Sequence, residues 1–183
     1  MKYDDKQHIY NYLERNSFPR IHDNIFSLNK FIDPTNVLDI GSSIGLLSLR
    51  LGQYHNNVLG IEHNIKTSIQ AKKLATANVK FEQFTINKRN MFDFENLIKR
   101  NLIKVVFARR VLPEIYDVGG LDLLQELIQT LYECDVHTIV IEGRQRRKNA
   151  KHPLNTVEKE TALFEGYYKL KHEYKECVLL EKI

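Results

Sequence analysis

The sequence of this 183-residue chain predicts an α/β fold in which helices cover both faces of a doubly wound, mostly parallel sheet. Short apolar runs rich in β-branched residues, such as 37–40 and 58–61, predict strands buried on both faces. The stretch 36–50 predicts a buried strand, a tight glycine turn and the start of a helix. Alternating residues at 168–174, followed by the apolar run 178–183, predict a closing hairpin.

Composition and charge are those of an ordinary soluble domain. The hydrophobic fraction is 43% and the net charge is +4, which does not by itself require a nucleic acid partner. No apolar run approaches the length of a membrane span, and the polar N-terminus carries no secretion signal. Cys134 and Cys177 are too few and too far apart to suggest a disulfide framework or a zinc cluster. We therefore expect one cytoplasmic domain with no metal site and no membrane partner.

The glycine turn carries the most informative motif of the chain, Asp39-x-Gly41-x-Ser43-x-Gly45. It differs from the dinucleotide fingerprint Gly-x-Gly-x-x-Gly. It resembles the first motif of class I S-adenosylmethionine-dependent methyltransferases, with Ser43 in place of the usual middle glycine. The alternative is a strand-turn-helix unit whose glycines serve packing alone.

This resemblance implies a Rossmann-like, seven-stranded sheet with an antiparallel C-terminal strand, and S-adenosylmethionine as the cofactor. It implies that the backbone of the turn approaches the methionine and sugar moieties, and that Asp39 positions the methionine ammonium or the turn itself. The turn residues concerned are Gly41, Ser42, Ser43 and Gly45. Residues 33–183 would form the cofactor-binding part of a single domain, and the helices predicted in residues 1–32 would flank the cofactor mouth.

Glu62 ends the second predicted strand, seventeen residues after Gly45. A parallel nucleotide-binding sheet places an acidic residue there to accept hydrogen bonds from ribose hydroxyls. The alternative is an exposed carboxylate at the end of a strand. His63 follows and could line the adenine side, with a surface histidine as its alternative, while Asn64 is a suitable N-cap for a helix over 65–75.

Other predicted cofactor contacts follow the third and fourth strands. The third strand is predicted over 79–86, and the family usually presents an acidic or amide residue after it to the adenine amino group. Thr85, Asn87 and Asn90 are all possible, and Asn87 is favoured. Ala108, in the fourth strand, completes the predicted set.

The exit of the fourth strand, within 104–115, is where the resemblance places catalytic identity. The Asn/Asp/Ser-Pro-Pro-aromatic motif of amino-methylating DNA enzymes is absent there, and the chain has no Pro-Cys pair of the cytosine C5 type. Arg109 and Arg110 could hold a carboxylate or phosphate, with a surface charge as the alternative for each. The catalytic residue stays open, because spacing singles out none of the nearest acid–base candidates, Glu114, Tyr116 and Asp117.

Two further segments are candidates for substrate contacts. The N-terminal helices, predicted to join near Ser17, carry weak site candidates whose alternative is a solvated helix face, namely Arg20, His22 and Asp23. A basic run follows the fifth predicted strand, 137–142, and could bind RNA or another polyanion. The alternative is a flexible, solvated loop; the residues concerned are Arg144, Arg146, Arg147, Lys148 and Lys151.

Three more helices complete the prediction. A helix over 90–100 has Phe92, Phe94, Leu97 and Ile98 as its apolar side, and a helix after Gly119-Gly120 buries Leu121, Leu124, Ile128 and Leu131. An Asn155-x-x-Glu158 capping box begins the last helix. The sequence thus predicts a methyltransferase with an unidentified, anionic or nucleic acid acceptor. The alternatives are a lyase-type enzyme that uses the same cofactor and a non-catalytic binding protein.

Overall fold

A central sheet of seven strands organises the computed structural model, which describes residues 22–143 and 151–183. The strands are β1 (Asn36–Ile40), β2 (Asn57–Glu62), β3 (Val79–Gln83), β4 (Val105–Arg109), β5 (Thr138–Glu142), β6 (Tyr168–Tyr174) and β7 (Cys177–Lys182). Their order is β3-β2-β1-β4-β5-β7-β6. Strands β1 to β5 pair in parallel, whereas β7 is antiparallel to both β5 and β6. The predicted fold class and closing hairpin are confirmed.

Helices connect the strands on both faces of the sheet. They are α1 (Asp23–Phe26), α2 (Leu46–Leu51), α3 (Ile65–Lys72), α4 (Met91–Arg100), α5 (Leu112–Glu133) and α6 (Val157–Ala162), with 3₁₀ turns at Ser27–Phe31 and Lys88–Asn90. The predicted helix junction near Ser17 and the candidate Arg20 lie outside the described residues. Within the described ranges, no helix combines the length and the hydrophobicity that crossing a membrane requires.

Alternation along the strands builds one apolar core on each face. In β1, Leu38 and Ile40 pack on the face covered by α4 and α5, and Val37 packs on the face covered by α1 and α2. Asp39 therefore points to the α2 face, because successive side chains of a strand alternate. This alternation decides which helix each residue at the end of a strand can contact.

Several helix details differ from the sequence predictions. Phe92 is 71% exposed, because the buried residues of α4 are Met91, Phe94, Leu97 and Ile98. Leu121 is 43% exposed, since Gly120, with φ of 70°, interrupts the helical geometry just before it. The buried residues of the helix after this interruption begin at Leu123. Thr156, not Asn155, caps α6 by accepting a hydrogen bond from the Lys159 N–H. Helix α3 ends at Lys72, earlier than predicted, and β3 ends at Gln83.

Charged side chains gather where the parallel strands end, and we call this end the carboxyl edge. It carries Asp39, Glu62, Arg109 and Glu142, from β1, β2, β4 and β5. Arg109 and Glu142 are direct neighbours in the parallel register of β4 and β5. The carboxyl edge is where open α/β sheets bind their ligands.

Candidate functional site

The glycine turn between β1 and α2 is tied to the neighbouring strand β2. The N–H groups of Gly41 and Ser42 both donate to the Ile61 carbonyl at 3.0 Å, and the Gly45 N–H donates to the Ser42 carbonyl at 2.8 Å. Gly41 and Gly45 have φ of 73° and 87°, a backbone region that favours glycine. The turn is thus a fixed structure at the carboxyl edge, immediately before α2.

Protein side chains fill the space that a Cβ would need at both glycines. A Cβ at Gly45 would lie 2.4 Å from Phe81 Cζ, and one at Gly41 would lie 2.9 Å from Val111 Cγ2. The missing side chains at these two positions therefore make room for Phe81 and Val111, and the approach of the turn's backbone to the cofactor stays a prediction. The glycines serve packing and backbone conformation, and a ligand can approach only the main chain of the turn.

Ser43 occupies the place of the middle glycine and keeps its left-handed backbone. Its φ is 51° and its side chain is exposed. The Ser43 N–H donates to Glu62 Oε2 at 2.9 Å. This hydrogen bond joins the turn to the end of β2.

The Glu62 carboxylate lies at the centre of the site. Only 7% of this residue is exposed. Its Oε1 accepts the Asn64 N–H at 2.8 Å and lies 3.0 Å from His63 Nδ1. Because each carboxylate oxygen has two acceptor positions, Oε2 can accept a further hydrogen bond besides that of Ser43. Glu62 thus holds the turn, and its contact with a ribose hydroxyl stays a prediction.

Asp39 ties β1 to the helix that follows the turn. The Ser48 hydroxyl donates to Asp39 Oδ2 at 2.6 Å, and Asp39 is 1% exposed. Burial raises the pKa of Asp39 to about 7, although the Ser48 hydrogen bond and Arg109 oppose the rise. Of the two predicted roles of Asp39, positioning the turn is the one that its observed contact supports.

A cavity of about 320 Å³ opens at the carboxyl edge, lined by Ile61 and His63, the residues on either side of Glu62. One wall comes from the ends of β1 and β2 and from the segment after β3, and the other comes from the first two turns of α5. Most of the lining is apolar, with Phe84, Ile86, Val111 and Ile115 as its larger side chains. The predicted residues Gly41 and His63, and the candidate Glu114, also lie on it. Such an apolar cavity can bury a flat aromatic ring.

Two other predicted cofactor residues, Asn87 and Ala108, do not line this cavity. The Asn87 side chain caps the Lys88–Asn90 turn by accepting the Arg89 N–H at 2.9 Å, and it lines a neighbouring cavity. Thr85, one of its alternatives, lines the cavity at the ends of β1 and β2. Ala108 is buried within β4, 2% exposed. The adenine contact of Asn87 stays a prediction.

Arg109 and Arg110 share one buried carboxylate, which the sequence analysis missed. Arg109 Nε lies 3.2 Å from Glu142 Oε2, and Arg110 Nε lies 2.6 Å from Glu142 Oε1. The Arg110 N–H also donates to the Glu142 carbonyl at 2.7 Å. Glu142 is 1% exposed. Its position was available in the sequence, because Arg109 and Glu142 each end an apolar run in consecutive parallel strands.

The remaining candidates lie around this edge. Asp23 pairs with Arg50 at 2.8 Å, and its candidate role at the site stays a prediction. His22 is half-buried, and burial followed by the charges of Arg109 and Arg50 lowers its pKa to about 4. Asp117 accepts a hydrogen bond from His152 Nε2 at 3.0 Å, and His152 Nδ1 accepts the Leu154 N–H.

The basic run lies mostly outside the described residues. Arg144, Arg146, Arg147 and Lys148 fall in the gap between the two described ranges, and Lys151 is exposed. Polyanion binding by this run stays a prediction.

Sequence comparisons give no match, since neither a protein-family model nor a curated protein matches the chain. Comparison with solved structures gives many matches. Monomeric WbdD superposes with a TM-score of 0.63 at 17% identity, over 99% of this chain and 42% of WbdD. Another WbdD structure is described as a bifunctional kinase-methyltransferase. The chain thus spans about two fifths of the length of this neighbour.

Two further neighbours are described by other chemistry. The [4+2]-cyclase SpnF has a TM-score of 0.61 at 13% identity, over 84% of this chain and 58% of SpnF. A protein that converts a disulfide bond into a thioacetal group during echinomycin biosynthesis has a TM-score of 0.62 at 13% identity. That match covers 86% of this chain and 80% of the neighbour. At these identities the likeness concerns the fold alone, and the chain has a methyltransferase-like α/β fold.

Proposed function

We propose that the chain binds S-adenosylmethionine at the carboxyl edge and transfers its methyl group to an acceptor. The observation that carries this proposal is the position of Glu62. Its buried carboxylate accepts the Ser43 N–H of the turn, and the residues on either side of it, Ile61 and His63, line the apolar cavity. A nucleoside needs an acceptor for its ribose hydroxyls next to an apolar pocket for its base. The likeness to WbdD supports the proposal at the level of the fold.

The residues of the edge fit the parts of such a cofactor. Glu62 Oε2 would accept from a ribose hydroxyl, and the apolar cavity walls around Phe84 and Ile115 would enclose the adenine. The Ser42 hydroxyl is buried and has no hydrogen-bond partner among the described residues. A buried hydroxyl without a partner is unfavourable, so Ser42 is available to a polar group of the ligand.

The cofactor would supply an activated methyl group, so the protein needs to supply position and a dry environment. The hydrogen bonds of the turn to Ile61 and Glu62 keep the main chain fixed before the ligand arrives. Asp39 holds α2 through Ser48 and so fixes the other end of the turn. The chain would thus contribute a preorganised cradle, and no general base is assigned.

Calorimetric titration with S-adenosylhomocysteine tests the proposal. We expect one site per chain with a dissociation constant in the micromolar range. A folded protein that shows no binding at millimolar ligand would overturn the proposal. Circular dichroism on the same sample confirms that the protein is folded.

A second candidate function is chemistry other than methyl transfer at the same site. The fold neighbours favour this alternative, because one of them is described as a [4+2]-cyclase and another acts on a disulfide. Incubation with S-adenosylmethionine and an acceptor pool separates the two. Accumulation of S-adenosylhomocysteine supports methyl transfer, whereas methylthioadenosine indicates a lyase-type reaction and an unchanged cofactor indicates a binding role.

A further inference from the structure

The charges around Glu142 do not balance. This buried carboxylate pairs with two guanidiniums, those of Arg109 and Arg110, which leaves one positive charge in excess. Asp39 is a further carboxyl whose charge acts on Arg109, but its pKa of about 7 leaves it only partly ionised at neutral pH. Arginine stays protonated at any physiological pH, so the excess charge persists.

Two buried nitrogen atoms in this region also lack partners. Arg109 Nη2 and His22 Nδ1 are both inaccessible to solvent and make no hydrogen bond within the described part of the chain. Besides burial, the charges of Arg109 and Arg110 lower the pKa of His22, so His22 lies within electrostatic range of the two arginines at the end of β4. A buried guanidinium N–H without an acceptor is unfavourable unless a ligand provides one.

We infer that Arg109 and His22 form a subsite for a carboxylate or phosphate group of the acceptor, next to the end of β4. A carboxylate or phosphate offers several acceptor oxygens and the negative charge that this cluster lacks. The inference rests on the proposed function, since it assigns the acceptor side of the same edge. Neither Arg109 nor His22 lines the cavity at the ends of β1 and β2, so the subsite is separate from the proposed adenine pocket.

The subsite can be tested with inorganic phosphate and without any cofactor. His22 gives a direct signal in the histidine NMR spectrum, and its loss in His22→Gln identifies it. We expect millimolar phosphate to shift this signal saturably and to raise the His22 pKa from about 4. The charged groups that act on His22 are Arg109, Arg50, Arg110 and Asp23, and a bound anion offsets the first three.

Variants assign the effect to Arg109. Arg109→Gln should weaken phosphate binding at least about tenfold, because a charge-assisted hydrogen bond is lost. The matched control is Arg100→Gln, since Arg100 pairs with Glu82 at 2.7 Å, away from the carboxyl edge. If Arg109→Gln does not fold, the double variant Arg109→Gln/Glu142→Gln removes both charges of the pair and should show the same loss. A His22 signal that does not respond to phosphate in the wild-type protein overturns the subsite.

Ligand pairs distinguish the acceptor from the cofactor, which carries a carboxylate of its own. S-adenosylhomocysteine has this carboxylate and methylthioadenosine lacks it. We expect Arg109→Gln to leave the affinity for both unchanged. A loss for S-adenosylhomocysteine alone would assign the anion to the cofactor and overturn the acceptor assignment. Wild-type binding of S-adenosylhomocysteine without a phosphate response would overturn the subsite only. The reverse result would overturn the proposed function, and the anion site would then have no methyl acceptor assigned to it.

Discussion

The two ends of the parallel sheet differ in the burial of their charged side chains. At the carboxyl edge, Asp39, Glu62 and Glu142 are at most 7% exposed. At the other end, where the strands begin, Asp135 pairs with Lys104 at 2.8 Å and with Lys182 at 3.0 Å, all in contact with solvent. We call this second end the amino edge.

The pKa values of Asp39 and Asp135 are shifted in opposite directions by these surroundings. Burial raises the pKa of Asp39 to about 7. Hydrogen bonds from Lys104, His137 and Lys182 hold the pKa of Asp135 well below its usual range. A desolvated group with a shifted pKa is typical of a functional site, whereas an exposed ion pair contributes little beyond solubility. The comparison supports the proposal that the carboxyl edge is the ligand-binding end of the sheet.

The largest effect should come from removing the buried carboxylate. Glu142→Gln leaves the guanidiniums of Arg109 and Arg110 without their counter-charge, so we expect a loss of about 3 kcal/mol in the free energy of unfolding. Asp135→Asn at the amino edge should cost far less, since solvent replaces the carboxylate. Urea unfolding at pH 7 measures both. Equal losses in the two variants would show that burial does not distinguish the edges.

The next effect is a pH dependence carried by Asp39. The folded pKa, about 7, lies above the ordinary 3.8, so the folded state binds the extra proton between these values. The stability that Asp39 contributes is therefore complete below pH 3.8 and is lost as pH rises through 7. The free energy of unfolding of Asp39→Asn, relative to that of the wild type, should therefore rise by on the order of 2 kcal/mol from pH 5 to pH 8.

Asp135→Asn is the control for this pH dependence. The Asp135 pKa is depressed, so its contribution is present above the unfolded pKa of 3.8 and is lost only as pH falls below it. Its difference from the wild type should therefore stay constant between pH 5 and pH 8. Urea midpoints across this range test both variants. A constant difference for Asp39→Asn as well would mean that Asp39 is ionised throughout.

The third effect concerns binding. Glu62→Gln places an amide NH₂ where an oxygen accepts the backbone N–H of Ser43 or Asn64, and it removes the charge that would hold the ribose. We expect the affinity for S-adenosylhomocysteine to fall more than about tenfold, or 1.4 kcal/mol. The control is Glu82→Gln on β3, whose carboxylate pairs with Arg100. If calorimetry finds the same affinity in both variants, Glu62 has no ribose role.

The sequence predicted the fold and the position of Glu62 because both depend on local patterns. Apolar runs such as 58–61 can only be buried strands, and Glu62 follows one directly. The apolar side of α4 was wrong at Phe92, because helical spacing does not say which residue of the first turn faces the sheet. The cap of α6 is Thr156, one residue after the predicted Asn155.

Contacts between distant segments could not be predicted in this way. The Ser48 hydroxyl reaches Asp39 across the glycine turn, and no spacing rule relates these two residues. Glu142 was overlooked although its register with Arg109 follows from the parallel order of β4 and β5. The contact between Ser48 and Asp39 depends on which faces meet across the turn, and the sequence patterns do not give these faces.

The smallest effect separates backbone strain from function. Ser43 at the carboxyl edge and Leu102 near the amino edge both have φ of 51°, and both side chains are exposed. Glycine relieves the strain of this conformation but raises the entropy of the unfolded chain, so Ser43→Gly and Leu102→Gly should each stabilise by about 0.5 kcal/mol. Thermal unfolding measures both. Because Ser43 offers Glu62 only its backbone N–H, Ser43→Gly should also keep its affinity for S-adenosylhomocysteine. A destabilised Ser43→Gly beside a stabilised Leu102→Gly would mean that the Ser43 hydroxyl itself holds the turn.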